Sequence, residues 1–402
     1  MPLPSAIQPA WPLLKRAHLT ATRGVGAVTR RATSLAGERA VPSIGTVSVD
    51  ETARLDPQHV RIHEGGPAEH LVREVPFGQP AQHWALERRA DYVVPRRFTL
   101  EISDGAIVGN YAAHITPGGV LDYETSTYFG VTGWKDHPIF LRARLPQMEH
   151  VEGTLVSLAT RGSHANYYHF LLDVLPRYGV LKETMPDVRP DAWFVNTGSG
   201  YQRQLLGMIG LGDVRVVQPG KDVAVRADTL LAPCIPNPDL IAPTWTTGWL
   251  KENLPAKETA DKPTRLYVTR GSAKNTRRLV NEDEVMARLA PLGFVSFDPG
   301  AHSVQEQIDT FTRAEVIVAP HGAALSNLVF CSPGVKVLEL FAPKYVNPCY
   351  WTIADNIPDS TYHYLVCGED HRPPGSPMNG VLTDITVDLR DFEQALQRLL
   401  DA

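Results

Sequence analysis

Short apolar runs alternate with amphipathic segments through the second half of the chain. The apolar runs lie at 266–268, 294–297, 316–318 and 335–341. Runs of this length predict buried strands. Asn281–Glu284 and Ser303–Glu306 have the form of capping boxes, which predict that helices begin there. Strands that alternate with helices are typical of a parallel, doubly wound sheet.

The first half of the chain shows two different sequence patterns. Before Gly153, short runs at 98–102, 106–108 and 114–116 are separated by turn signals, which predicts several short strands joined by tight turns. After Gly153 the pattern predicts elements in the order β-α-β-α-β. These elements are a strand at 155–158, a helix at about 165–181, a strand at 192–195, a helix at about 201–209 and a strand at 214–217. Because Pro176 lies inside the first of these helices, we expect a kink or an early end there.

These patterns predict an α/β protein with two doubly wound halves, a linker and a cleft between the halves. The expected segments are a basic, mobile N-terminal tail over 1–45, an N-terminal domain over 46–240 with a β-rich start and a proline-rich linker over 241–263. They are followed by a C-terminal domain over 264–375 and a C-terminal segment over 376–402 that ends in an amphipathic helix. Ligands of such sheets bind at the carboxyl ends of the strands, so binding and catalytic residues are expected at strand-to-helix junctions.

Composition narrows the class of protein. The chain has 402 residues, 43% of them hydrophobic, and a formal net charge of −5, which argues against a protein that coats nucleic acid. The cysteines form no zinc-finger pattern and are expected to be reduced, buried thiols of a cytoplasmic protein. They are Cys234, Cys331, Cys349 and Cys367. Neither a transmembrane helix nor a secretory signal is expected.

Basic residues dominate the first 37 positions. Lys15, Arg16, Arg23, Arg30 and Arg31 lie there without an acidic residue. Two interpretations stay open: a mobile basic tail, or an arm that binds the anionic inner face of a membrane, where each basic residue contributes about 1 kcal/mol.

The first candidate site is the junction that follows the strand at 316–318. His321 and Gly322 lead into Ala323 and Ala324, and Asn327 lies one turn further on. Small residues at the start of a helix let an anion approach the free N–H groups, and a diphosphate is the natural guest. A tightly packed turn that needs small residues is an equally good interpretation.

A second candidate is the loop after the strand at 266–268. Its four cations are Arg270, Lys274, Arg277 and Arg278. Guanidinium groups suit phosphate oxygens, so this loop could neutralise a departing diphosphate, although a solvated basic loop is the plainer interpretation. Glu339, near the end of the predicted strand at 335–341, could accept hydrogen bonds from ribose hydroxyls or belong to a buried ion pair.

The third candidate lies in the first half of the chain. His169 and Asp173 are four residues apart and share a helix face, and His164 and Asn166 precede them. The group has the components of a general base. A polar network between helices and a metal site are alternatives, but a third metal ligand at recognisable spacing is missing.

Together these segments resemble glycosyltransferase family 61. The resemblance is carried by Asn166, His169, Asp173 and Leu175-Pro176-Arg177, then by Arg270, Arg277-Arg278 and Asn281-Glu282, and then by Ala319 to Ala323, Leu325, Asn327, Pro333-Gly334 and Val337 to Leu340. It extends over roughly residues 90–370. The resemblance implies a GT-B architecture, in which two Rossmann-like domains face each other across a cleft, and inverting transfer from a nucleotide sugar. Bacterial members of the family resemble enzymes that assemble capsule and other surface polysaccharides.

The resemblance also implies roles. The basic loop, the junction from His321 to Asn327 and Glu339 would hold the donor, and Asp173, supported by His169, would be the base. His164 and Asn166 would lie on the side of the acceptor, a glycan or lipid-linked glycan. We prefer Asp173 to His169 as the base because a carboxyl of ordinary pKa is already ionised at neutral pH.

The sequence has no Asp-x-Asp motif, so no metal cofactor is required, although Mg²⁺ or Mn²⁺ could accompany the diphosphate. Two other functions stay open. One is a non-catalytic module that binds nucleotides or glycans. The other is an oxidoreductase, which is disfavoured because a Gly-x-Gly-x-x-Gly motif after an early strand is missing.

Overall fold

The computed structural model describes residues 14, 17, 20, 21, 23–25, 27, 28, 37–128, 131, 133–271, 277–370, 373 and 379–402. Most of the predicted basic tail, including Lys15, Arg16, Arg30 and Arg31, lies outside these residues. The chain forms two compact units. The first consists of Met1–Pro67 and Arg96–Pro236, and the second of Ala68–Pro95 and Asn237–Ala402.

The described residues contain eighteen strands. They are β1 Ile44–Thr46, β2 Val60–Glu64, β3 Glu69–Val72, β4 Phe77–Gln79, β5 Asp91–Val94, β6 Phe98–Ser103, β7 Ala106–Val108, β8 Ala113–Ile115, β9 Val120–Asp122, β10 Glu149–Ser157, β11 Ala192–Phe194, β12 Val216–Val217, β13 Ala224–Pro233, β14 Arg265–Val268, β15 Val295–Phe297, β16 Val316–Pro320, β17 Lys336–Phe341 and β18 Thr361–Val366.

The α-helices are α1 Val49–Leu55, α2 Trp84–Glu87, α3 Tyr167–His169, α4 Leu175–Thr184, α5 Gly200–Met208, α6 Thr244–Asn253, α7 Glu282–Leu289, α8 Val304–Arg313, α9 Trp351–Ala354 and α10 Leu389–Asp401. Tighter 3₁₀ turns lie at Gly37–Arg39, Trp134–Asp136, Pro138–Leu141, Pro238–Leu240, Ala290–Leu292, Pro299–Ala301, Ala323–Phe330 and Asn379–Leu382. A π-helical turn, Phe170–Val174, joins α3 to α4.

The first unit contains a mixed sheet of ten strands. Its main path runs β1-β9-β8-β7-β13-β10-β11-β12, and β6 pairs with both β13 and β2. The strands β13, β10, β11 and β12 are parallel, whereas β6, β7 and β8 pair with antiparallel neighbours. Both the predicted β-α-β-α-β order and the predicted short strands before Gly153 are therefore confirmed.

The helix predicted across Pro176 continues past the proline and is helical throughout 167–184. The π-helical turn lies between α3 and α4, and Pro176 lies in the first turn of α4. Because proline has no N–H group, it cannot donate to a carbonyl of the preceding turn. The helix therefore changes its hydrogen-bond pattern before Pro176 but does not end early there, and Asp173 lies inside a π-helical turn, a feature that is frequent at functional sites.

The second unit contains a sheet of six strands, all parallel, in the order β15-β14-β16-β17-β18-β4. Numbered from β14, its five consecutive strands have the order 2-1-3-4-5, and the order reverses between β14 and β16. The predicted parallel sheet is confirmed. On one face, its core includes Tyr267, Leu338 and Leu340, packed with Phe392, Leu396 and Leu399 of α10. The terminal amphipathic helix is therefore also confirmed.

The two predicted capping boxes have different outcomes. Ser303 and Glu306 make both reciprocal bonds at the start of α8. Asn281 is the N-cap residue of α7, so the predicted start of this helix is confirmed, but the Asn281 side chain makes no capping bond. Instead its amide donates to the carbonyl of Val387 at 3.0 Å and accepts from the N–H of Val387 at 3.1 Å, which fixes the segment before α10.

Residues 68–95 belong to the second unit, although the sequence pattern grouped them with the first half. The short strand β4 extends the second sheet by pairing with β18, and β3 pairs with β5. The proline-rich segment 241–263 contains the helix α6. Within the described part of the chain, no helix has the length and apolar character needed to cross a membrane. All four cysteines are free and buried, as expected.

Candidate functional site

The first candidate site lies at the carboxyl edge of the second unit's sheet. Arg270 follows β14, and His321 and Gly322 follow the adjacent parallel strand β16. The strand order reverses between these two strands. In open α/β sheets ligands bind at this kind of reversal point, outside the carboxyl ends of the strands. The topology therefore brings two of the predicted donor-binding segments together.

Arg270 and Gly322 fit against each other. The Arg270 guanidinium donates through Nη1 to the carbonyl of His321 at 2.9 Å. A Cβ atom added to Gly322 would lie 2.2 Å from the same Nη1. We expected the small residue to leave room for a ligand, but part of that room is filled by Arg270. Burial lowers the pKa of Arg270 to about 10, and the charge of Arg277 acts in the same direction.

Arg277 adds a second cation to this edge. Its backbone has a φ of 74°. The N–H groups of Arg277 and Arg278 both donate to Asp384 Oδ1, at 2.8 Å and 2.9 Å. The Arg277 guanidinium lies 4.7 Å from the centre of the Tyr345 ring. Its Nε and Nη1 are buried and have no hydrogen-bond partner among the described residues. A cation with unsatisfied donors is suited to an anionic ligand. The Arg278 side chain is exposed.

Glu339 lies in a buried network. It contacts His321 Nδ1 through Oε1, and it accepts a hydrogen bond from the Tyr362 hydroxyl through Oε2. Glu339 is 0% exposed, which leaves no accessible oxygen for the predicted contact with ribose. Burial raises the pKa of Glu339 well above its ordinary value.

His321 faces Glu339 in this network. Burial lowers the pKa of His321 far below its ordinary value, and Arg277 and Arg270 lower it further. The ring stacks on Phe341 at a centroid distance of 5.2 Å. Because its Nδ1 is held by Glu339 and its ring is stacked on Phe341, we interpret His321 as a support for the Gly322 bend rather than as a ligand for phosphate.

The residues after Gly322 form a 3₁₀ helix, at the junction where the sequence predicted the start of a helix. The first N–H groups of a helix have no partner inside the helix, and here they belong to Ala323 and Ala324, which are partly exposed. Asn327 is 0% exposed and donates to Gln307 Oε1 at 3.0 Å. Its amide therefore joins this helix to α8 instead of facing a ligand. Lys274 lies outside the described residues.

The second candidate site is the His169–Asp173 pair of the first unit. His169 Nδ1 lies 2.6 Å from Asp173 Oδ2, and the side chains are 12% and 7% exposed. A Cβ atom on Gly162 would lie 2.5 Å from the His169 ring, so the glycine makes room for it. The spacing predicted that the two side chains would meet, and they do. A nearly buried carboxylate paired with an imidazole is suited to accepting a proton.

The two residues predicted on the acceptor side lie at the start of this helix. Asn166 Oδ1 accepts a hydrogen bond from the N–H of Tyr168 at 3.0 Å and caps the helix. His164 is exposed, and its carbonyl accepts from Gln202 Nε2 at 3.4 Å. The contact of Asn166 is thus a structural one, whereas the ring of His164 is open to solvent.

Arg177 belongs to the Leu175-Pro176-Arg177 segment that carries part of the family resemblance, but the sequence did not indicate a role for it. Its side chain is 0% exposed. It donates through Nε to the carbonyl of Pro233 and through Nη1 to that of Ala159, both at 2.8 Å. Burial lowers its pKa to about 10, while Cys234 and Asp173 raise it. Because Arg177 lies four residues after Asp173, helical spacing could have indicated that this cation supports the carboxylate.

The described residues contain no cluster of histidine, cysteine, aspartate or glutamate that could hold a metal ion.

Comparison with known proteins identifies the region that contains both sites. Residues 167–338 match the family model described as Glycosyltransferase 61. The protein O-linked-mannose beta-1,4-N-acetylglucosaminyltransferase 2 of Takifugu rubripes is 31% identical over 112 residues. That match covers 26% of this chain and 19% of the relative, so it spans about a fifth of the relative's length. Over residues 167–338, the chain is thus similar to the glycosyltransferase 61 family.

Proposed function

We propose that this protein is an inverting glycosyltransferase that transfers a sugar from a nucleotide-sugar donor to a hydroxyl group of a glycan acceptor. One observation carries the proposal. The Arg270 guanidinium contacts the Gly322 bend at the point where the strand order of the second sheet reverses, and the charge of Arg277 acts on both Arg270 and His321. A diphosphate is the ligand whose charge and shape suit this arrangement.

The donor is held by its diphosphate. Arg277 has two buried donor atoms without partners among the described residues, and the first N–H groups of the 3₁₀ helix at Ala323 lie next to the Gly322 bend. In a site that excludes water, such fixed positive groups stabilise the charge that develops on the departing phosphate. These groups neutralise the diphosphate without a metal, and Mg²⁺ or Mn²⁺ could accompany it when the donor binds.

The base is Asp173, oriented by His169. The acceptor oxygen attacks the anomeric carbon from the face opposite the diphosphate, and its proton passes to the Asp173 carboxylate. The new bond between carbon and acceptor oxygen forms as the bond to the phosphate oxygen breaks, and the nucleoside diphosphate departs with the electron pair. This step requires the base and the donor to share one active site, as in the GT-B architecture that we propose for the chain.

We further propose that the acceptor is a glycan or lipid-linked glycan of a surface polysaccharide, and that the protein works in the cytoplasm, in contact with the inner face of the membrane through residues 1–37. The name of the Takifugu rubripes relative specifies transfer of N-acetylglucosamine. UDP-N-acetylglucosamine is therefore the first donor to test, followed by other UDP and GDP sugars.

The experiment that tests the proposal replaces Asp173 with asparagine. The variant keeps a side chain of the same shape next to His169 but cannot accept a proton. We expect sugar transfer to fall about 10²- to 10⁴-fold, the usual contribution of a general base, while the affinity for the nucleoside diphosphate is unchanged. Transfer is measured by release of the nucleoside diphosphate and affinity by calorimetry.

Asp187→Asn is the matched control, because Asp187 is an exposed carboxylate of the same unit. Transfer by Asp173→Asn at the rate of this control would reject Asp173 as the base. If only His169→Gln abolished transfer, the base would be His169. Nucleotide binding by the native protein without any turnover would favour a non-catalytic binding module.

A further inference from the structure

Asp298 lies at the same edge of the second sheet as Arg270. It follows β15, the strand that pairs with β14 on the side away from β16. The N–H of Thr269 donates to the carbonyl of Phe297 at 3.0 Å, so the two strands stay paired up to their last residues. Asp298 therefore directly follows β15, and Arg270 lies two residues after the end of the adjacent parallel strand β14.

The two oxygens of the Asp298 carboxylate have different surroundings. Oδ1 accepts a hydrogen bond from the N–H of Gly300 at 2.9 Å and caps the 3₁₀ turn Pro299–Ala301. Oδ2 has no hydrogen-bond partner among the described residues and lies against Gly271. A Cβ atom at Gly271 would be 2.2 Å from Oδ2, so the carboxylate occupies the space that any other side chain at this position would need. The φ of Gly271 is 46°, which also favours glycine.

We infer that Asp298 Oδ2 accepts a hydrogen bond from the ribose 2′-hydroxyl of the donor nucleotide. The inference rests on the proposed function. In doubly wound sheets that bind nucleotides, the phosphate lies at the turn after the first strand, and an acidic residue further along the chain binds the ribose. Arg270 follows the first strand of this sheet and Asp298 the second. Glu339, the carboxylate predicted for this role, is enclosed by His321 and Tyr362.

The test compares ribonucleotides with 2′-deoxyribonucleotides. Calorimetry gives the affinities of UDP, GDP and their 2′-deoxy forms for the native protein and for Asp298→Ser. Serine keeps one oxygen that can cap the turn at Pro299–Ala301 but removes the oxygen next to Gly271. Asp388→Ser is the matched control, because Asp388 caps α10 in the same unit through the N–H groups of Arg390 and Asp391.

For the native protein we expect the better-bound ribonucleotide to bind about tenfold or more tightly than its 2′-deoxy form, the effect of one hydrogen bond to a carboxylate. Asp298→Ser is expected to bind the two forms nearly equally, and Asp388→Ser to keep the preference. An unchanged preference in Asp298→Ser, or none in the native protein, would overturn the inference while the donor site stands. Failure of every nucleoside diphosphate to bind would overturn the proposed donor site and this inference with it.

Discussion

At the scale of single residues, the geometry of the donor site depends on close packing between neighbouring residues. Arg270 reaches the carbonyl of His321 only because Gly322 has no side chain. His321 is in turn held by Glu339, which is itself held by Tyr362. Each of these residues fixes the position of the next, so a small change at Gly322 is expected to move the cation.

Gly322→Ala tests this dependence. The added Cβ would overlap Nη1 of Arg270, which is the end of a flexible side chain, so the guanidinium moves rather than the backbone. We expect the affinity for UDP or GDP to fall by about tenfold, as for the loss of one charge-assisted hydrogen bond, with little change in melting temperature.

Gly248→Ala is the control for this substitution, since nothing lies within 4 Å of a Cβ atom at Gly248 in α6 of the same unit. Equal nucleotide affinity in both alanine variants would show that Arg270 does not depend on Gly322.

At the scale of elements, regular patterns were predictable and long-range pairings were not. Apolar runs identified β14, β16 and β17, and local spacing identified the His169–Asp173 pair. The strand β4 could not be assigned to the second sheet, because it has three residues and pairs with β18 far along the chain.

The contacts inside the candidate site could not be predicted from the sequence for the same reason, since they depend on which strands are neighbours. The contact of Arg270 with the Gly322 bend requires that β14 and β16 be neighbours, and the enclosure of Glu339 requires that β18 lie beside β17. Asp298 lacked a sequence signal because its position is meaningful only once β15 is known to border β14. Residue types thus indicated the chemistry, while sheet order decided which side chains face a ligand.

At the scale of the whole molecule, neutral histidines buried in the first unit make stability dependent on pH. Burial lowers the pKa of His114 far below the ordinary value, and that of His137 to about 3. Below about pH 6.5 the unfolded chain binds protons at these positions and the folded chain does not. Their contribution to stability is therefore present above pH 6.5 and is lost as the pH falls.

His137→Asn measures one of these contributions. With a folded pKa of about 3, His137 alone should cost about 2 kcal/mol of the free energy of unfolding between pH 7 and pH 5. Asparagine can still accept the hydrogen bond from the N–H of Ile139 that His137 Nδ1 accepts at 3.3 Å. Urea unfolding at the two pH values should show a smaller loss for the variant. The same loss in both proteins would mean that His137 titrates normally in the folded state.

If the second unit binds a nucleoside diphosphate with Arg277 and Arg270 beside the Gly322 bend, loss of the Arg277 side chain must weaken that binding. The decisive experiment is calorimetric titration of UDP and GDP into the native protein, Arg277→Ala and the control Arg288→Ala. Arg288 is a suitable control because it is a half-exposed cation of the same unit that pairs with Glu393. We expect Arg277→Ala to weaken binding by about 1.5–3 kcal/mol, roughly 10- to 100-fold, while Arg288→Ala binds like the native protein. Unchanged affinity in Arg277→Ala would contradict the claim.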